Sequence, residues 1–287
     1  MSDLDITTQL INIDPHKKCL QFLCDRVLSG NYRGLHLSQH NRYDQNKIRV
    51  ILEEIYNIVG NELMQIRDQD MSKRSEPIPG EEQYRQLVKN INNNKLGTVT
   101  QDSLRKNFFV DMHRMGLIDR YGASGEKLYP YERSGHIKYI GLAPLGLKLV
   151  EAHRKGGQEA SKLYYDEGLK NLGVCAFGER CLEIMDSLKT PYLTGYESMF
   201  FVTASNLDTN TIAKYIAEFR RLDESQYSSV IGLVQNYCNP NNFSGDKSNK
   251  RDFGNWKNET QQIFSLLAQA QNIPLRYDNL LNRIIRV

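Results

Sequence analysis

Twice in this chain an apolar-striped helical segment runs through a tight stop into a short strand. The first instance is Phe108-Phe109-Val110-Asp111-Met112-His113-Arg114-Met115-Gly116-Leu117-Ile118-Asp119-Arg120-Tyr121. The second is Ile263-Phe264-Ser265-Leu266-Leu267-Ala268-Gln269-Ala270-Gln271-Asn272-Ile273-Pro274-Leu275-Arg276-Tyr277. Each follows two or more short helical segments. A helix–helix–helix–hairpin order, present twice, predicts a mainly α chain with small β-hairpins. The 287 residues suit two units, at roughly 100–200 residues per domain.

Periodicity fills in the remainder. Residues 15–28 read as a short helix, with Pro15 in its first turn behind Asp14. Ile48, Ile51, Leu52, Ile55, Ile58, Val59, Leu63 and Ile66 recur at helical spacing over 46–66. Another helix is expected at 81–92, with Tyr84, Leu87, Val88 and Ile91 inward. Thr100 caps an expected helix at 101–115, which Gly116 ends. Strands at 117–121 and 136–140 flank a glycine-rich loop at 122–136, and a helix opens at 143–150. Residues 155–175 read as a connector around a helix at 158–170. Helices are expected at 177–188, 195–204, 209–222, 226–238 and 256–271, then strands at 273–277 and 284–287.

The segment Leu142-Ala143-Pro144-Leu145-Gly146-Leu147-Lys148-Leu149 follows the returning strand. It resembles the "Leu-Thr-x-x-Gly-x-x-Leu" helix behind the wing of the winged-helix module, with Ala143 where threonine is usual. That resemblance implies contact with DNA. A helix N-terminus offers N–H groups and a positive dipole to phosphate, while side chains reach base edges in the major groove. The wing brings basic side chains to the backbone.

Four segments supply candidate contacts. On helix 101–115 the expected exposed face holds Gln101, Asp102, Ser103, Arg105, Lys106, Asn107 and His113, of which Gln101, Ser103, Arg105, Lys106 and Asn107 are candidate DNA-binding residues. The wing adds Lys127, Arg133 and His136. The loop at 31–42 is dense in donors: Arg33, His36, Gln39, His40, Asn41 and Arg42. The segment 246–258 carries Lys247, Asn249, Lys250, Arg251, Lys257 and Asn258, with Asn255 and Trp256 among them, and has a local excess of positive charge. The plainer alternatives are a solvated face for helix 101–115, a mobile polar loop for 31–42, and protein contacts alone for the winged-helix module.

Other classes of function find little support. No apolar run approaches the roughly 20 residues of a membrane-spanning helix, and the acidic start Met1-Ser2-Asp3-Leu4-Asp5 does not read as a signal peptide. Five cysteines without a Cys-x-x-Cys pair suit reduced thiols in a bacterial cytoplasm. The net charge of +3 decides nothing without clustering. Phosphate-binding loops and nucleophile elbows are missing. No Asp or Glu has Lys two positions later, as the Asp/Glu-x-Lys half of a metal-dependent nuclease site requires. No catalytic residues, metal ligands or cofactors are therefore expected for this chain.

Tyr192-Leu193-Thr194-Gly195-Tyr196-Glu197-Ser198-Met199-Phe200-Phe201-Val202, followed by Ile216-Ala217-Glu218-Phe219-Arg220-Arg221, resembles the "Leu-Thr-x-x-Glu … Phe" and "Ile-x-x-Phe-Arg" helices of type IIS restriction endonucleases. The resemblance is to their N-terminal recognition region. It implies sequence-specific binding of double-stranded DNA, with a monomer reading a short asymmetric site. It also implies a separate C-terminal nuclease domain that would use magnesium. The expected organisation is an N-terminal arm and first winged-helix subdomain at 1–154, a helical linker at 155–190, and a second winged-helix-like subdomain at 191–287. A winged-helix transcription regulator and a protein-interaction scaffold are the alternatives.

Overall fold

Helices carry most of the described residues in this computed structural model, and among these residues short strands form two small three-stranded antiparallel sheets. The structure describes residues 3–37, 44–66, 80–94, 97–131, 137–242, 251–270 and 273–287. It divides into two compact units, residues 40–174 and residues 1–39 together with 175–287. The second of these opens with α1 (Asp3–Ile13) and α2 (Lys18–Leu28).

In the 40–174 unit, α3 (Gln45–Val59) begins where the Asp44 carboxylate accepts the Lys47 N–H at 2.9 Å. It buries Ile48, Ile51, Leu52, Ile55 and Val59, the i, i+3, i+4, i+7 stripe of a core-facing helix. The helix stops short of the expected position 66 because Gly60 turns left-handed, at φ 58°. Beyond it Leu63 is exposed while Met64 and Ile66 are buried. That alternation belongs to a strand, and β1 is Met64–Gln65. Next, α4 (Glu82–Asn93) turns Tyr84, Leu87 and Ile91 inward.

The expected helix at 101–115 is built in three pieces: α5 (Gln101–Ser103), a π turn (Leu104–Phe108) and α6 (Phe109–Arg114). Thr100 caps it in a reciprocal box with Ser103. Then β2 (Ile118–Tyr121) and β3 (Tyr139–Leu142) pair antiparallel, and β3 lies between β1 and β2. Ile118 faces Leu142, and Met64 faces Ile140. The unit closes with α7 (Pro144–Asn171), which breaks at Gly157, φ 75°. The helices expected at 143–150 and 158–170 are the two limbs of this element. A Cβ at Gly146 would sit 2.0 Å from the Leu117 carbonyl oxygen, so α7 lies against the chain entering β2 only with glycine there.

In the other unit come α8 (Val174–Leu188), β4 (Tyr192–Thr194), α9 (Gly195–Glu197) with a π turn (Ser198–Val202), α10 (Thr209–Phe219) and α11 (Glu224–Tyr237). After these, α12 (Phe253–Leu267) leads to the hairpin of β5 (Leu275–Asp278) and β6 (Arg283–Arg286). The strand order β4-β6-β5 repeats the first–third–second order of the other sheet. Phe200, Phe201, Phe219, Trp256 and Phe264 are fully buried and form the aromatic core.

Residues 1–39, expected as the start of a 1–154 subdomain, pack in this unit with 175–287. The buried Arg26 guanidinium shows why. It donates to the carbonyls of Tyr32 (2.8 Å), Phe200 (2.9 Å) and Arg33 (3.0 Å), and to Thr203 Oγ1 (2.7 Å). Burial, with help from neighbouring Arg180, draws its pKa down to about 9. Among the described residues no helix is long and apolar enough to cross a membrane.

Candidate nucleic-acid interface

The start of the helical stretch 101–114 is fixed by the Thr100–Ser103 box. Ser103 Oγ accepts the Thr100 N–H at 2.8 Å and donates to the Thr100 carbonyl at 2.9 Å. Tyr84 donates its hydroxyl to the Gln101 carbonyl, tying this entrance to α4. Of the candidates here, Lys106 is exposed, Gln101 and Asn107 are half-buried, and Ser103 takes part in the cap.

Two residues expected on the exposed face are buried. Arg105 is only 9% accessible, and its Nη2 donates to Asp102 Oδ1 at 2.6 Å. His113 is 2% accessible, with its ring nitrogens 3.0 Å from the carbonyl oxygens of Ile118 and Leu128. The π turn precedes His113 and accounts for its place. It places an extra residue in one helical turn and rotates everything after it relative to a 3.6-residue pattern. His113 then anchors β2 to the segment that follows it. Burial lowers its pKa below the ordinary 6.5.

The Asp102 carboxylate also holds Lys106 Nζ at 3.0 Å. Lys127 is exposed and pairs with Asp119 at 2.8 Å. Both lysines are reachable by a phosphate, and exposed pairs of this kind are weak enough to exchange partners. Arg133 and His136 lie outside the described residues.

In the other unit, the described donors of the 31–42 loop, Arg33 and His36, bond within the fold. Arg33 Nη1 lies 2.9 and 3.1 Å from the two oxygens of buried Glu259. His36 Nδ1 lies 2.8 Å from the Gly34 carbonyl oxygen. Gln39, His40, Asn41 and Arg42 are outside the described residues, as are Lys247, Asn249 and Lys250. Arg251 donates to the carbonyls of Val27 (2.6 Å) and Leu28 (2.8 Å), closing the C-terminal end of α2 as a cation suits. Trp256 is fully buried and belongs to the core. Lys257 is half-buried and Asn258 exposed near the start of α12.

The motif residues near 194 and 220 interlock. Thr194 Oγ1 accepts the Glu197 N–H, and Glu197 Oε2 accepts the Thr194 N–H, at 3.2 and 2.8 Å. Arg220 clasps the same carboxylate and donates to the Tyr192 carbonyl at 3.0 Å. This constellation is a structural clamp. The β5–β6 turn reads from the sequence as a short wing at 278–282, but its leucines were not singled out there: Leu280 is 96% and Leu281 58% accessible. Consecutive leucines between two strands were the available signal, because turn chemistry favours Gly, Pro, Asn, Asp and Ser.

The unit holding the helical stretch 101–114 and the β2–β3 hairpin carries a family relationship. Residues 44–153 match the family model described as "Type IIS restriction enzyme MboII middle domain". The matched segment runs from the cap of α3 into α7, taking in all three strands of that sheet. The match supports a type IIS restriction enzyme domain in this part of the chain, and its description is of a middle domain rather than an N-terminal one. No curated protein and no solved structure gives a significant match. Among the described residues, no group of three His, Cys, Asp or Glu side chains is arranged to hold a metal ion.

Proposed function

We propose that the chain is a double-stranded DNA recognition region of a type IIS restriction endonuclease, in which two winged-helix modules read an asymmetric site as a monomer. The observation that carries the reading is the match over 44–153, which spans a helix–strand–helix–helix–strand–strand unit with its third strand central. In a winged helix that order sets one helix beside a hairpin, so helix and wing can engage groove and backbone together. Gln101, Lys106 and Asn107 supply groups for base edges, and Lys127 a cation for the backbone. Lys257 and Asn258 hold corresponding places at the start of α12, before the second hairpin. The first module of this reading lies in the 40–174 unit, and the second in the unit of residues 1–39 with 175–287. DNA cleavage falls to a separate C-terminal nuclease domain with magnesium.

The test is selection of duplexes from a randomised pool by the full chain, followed by sedimentation of the complex. An asymmetric consensus bound by one protomer is expected. A palindrome bound by two protomers would instead mark a transcription regulator. Absence of duplex binding at moderate salt would mark a protein-interaction scaffold.

A further inference from the structure

The β5–β6 turn is fixed by its own hydrogen bonds, yet its most apolar side chains are exposed. Asp278 Oδ1 accepts the N–H groups of Leu280 (3.0 Å) and Leu281 (3.1 Å), fixing the turn. Asn282 adopts φ 47°, accepts the Tyr277 hydroxyl at 2.9 Å through Oδ1, and accepts the Gly195 N–H at 2.7 Å through its carbonyl. A Cβ on Gly195 would lie 2.4 Å from the Asn282 amide, so the base of the turn is bolted directly to the start of α9. On this pedestal Leu280 and Leu281 project into solvent. The exposed Val287 sits at the opposite end of the hairpin, so the two leucines form a separate apolar tip.

Cations flank that tip. In the β5–β6 register Arg276 faces Ile285 and Asp278 faces Arg283. Arg276 and Arg283 are therefore diagonal neighbours on the outward face, about 7–8 Å apart at their backbones. Arg276 is exposed, and among the described residues no carboxylate pairs with it. Arg283 lies over the Tyr192 ring at 4.4 Å. The Asp278 carboxylate is engaged by the turn's own N–H groups.

We propose that Leu280 and Leu281 form a wedge that enters the minor groove of bound DNA and unstacks a base step, with Arg276 and Arg283 gripping the backbone beside it. An apolar side chain inserted between base pairs kinks the duplex and brings more of it against protein. A pre-fixed turn loses little freedom on insertion, and flanking guanidiniums complement the phosphates. This deepens the DNA-recognition reading and rests on it. It gives the second hairpin a role in DNA shape.

The test uses the full chain and the duplex it selects, with 2-aminopurine placed at successive positions and bending followed by circular-permutation gel shift. The expected result is a rise in 2-aminopurine fluorescence at one step and a measurable bend. The double variant Leu280→Ala with Leu281→Ala should lose both and bind roughly ten-fold more weakly, since the wedge no longer sustains the kink. Leu280→Met, still an apolar wedge, should keep them. If the wild-type chain binds its duplex with no unstacking, or the double variant binds and bends DNA as the wild type does, the wedge is refuted and DNA recognition stands. The wedge is equally refuted if the double variant alters self-association alone, which makes the tip a protein contact. Failure of the wild-type chain to bind any duplex overturns both readings.

Discussion

Arg220 meets the Glu197 carboxylate side-on, with Nε 2.6 Å from Oε1 and Nη2 2.9 Å from Oε2. The Glu197 side chain is almost wholly buried and also caps the turn that starts at Thr194. The pair therefore joins α10, the cap of α9 and β4. Glu197→Gln removes the charge and keeps the shape, leaving Arg220 without its counter-ion. It is expected to lower stability by about 3–5 kcal/mol, the range for breaking a buried pair, read from the midpoint of urea unfolding. A loss near zero would show that the clamp is replaceable by neutral hydrogen bonds.

Gly146→Ala should be costly although alanine favours helices. Its Cβ would sit 2.0 Å from the Leu117 carbonyl oxygen, and backbone on both sides has to give way. The expected loss is about 1–3 kcal/mol, typical of overpacking, as a lower melting temperature. The neighbouring substitution Lys148→Ala, on the same helix, serves as the control and should change little.

His113 makes stability depend on pH. Burial favours the neutral ring and lowers its pKa below 6.5. As pH falls through that ordinary value the unfolded chain takes up a proton that the folded chain resists, so stability is full above it and declines below it. His113→Gln should be less stable at pH 7.5 by about 1–3 kcal/mol, because a buried carbonyl loses its partner. It should also show a smaller decline between pH 7.5 and 5.5. An unchanged pH dependence would show that His113 does not govern that window.

Arg105 and Lys106 are adjacent in sequence and should separate in experiment. Arg105→Ala removes a buried stem and the contact with Asp102, and should lower the melting temperature. Lys106→Ala should leave folding unchanged and weaken binding to the preferred duplex by about 1–3 kcal/mol if it reads a base. If it contacts phosphate instead, all duplexes weaken alike and the slope of log affinity against log salt falls by roughly one, at about 0.9 per contact.

What was legible in the sequence was whatever is local. Thr100 as a cap, Gly116 as a stop, the stripe of α3 and the hairpin near 275–286 follow from residue type and spacing. Strands β1 and β4 escaped because they are two and three residues long and become strands only by pairing with β3 and β6, far along the chain. Gly60 was hidden because Leu63 and Ile66 continue the helical spacing by coincidence. The π turn changed the expected surroundings of His113, and no residue in Leu104–Phe108 announces it. Of the expected contact residues, Lys106, Asn107, Lys127, Lys257 and Asn258 keep accessible surface, whereas Arg33 and Arg251 serve long-range internal bonds that no local pattern encodes.

Arg251 bonds to Val27 and Leu28 across 224 and 223 positions, and this separation bears on the order of biosynthesis. At roughly 5–20 residues per second, α2 leaves the ribosome on the order of ten to fifty seconds before α12 is made. The apolar face of α2, with Leu20, Leu23 and Val27, must wait through that interval without its final neighbours. The 40–174 unit, whose contacts are complete once α7 has emerged, can fold during the delay. Translation thus imposes an inside-first schedule: the inserted unit matures early, and the split one closes only when Arg251 and α12 arrive to meet α2.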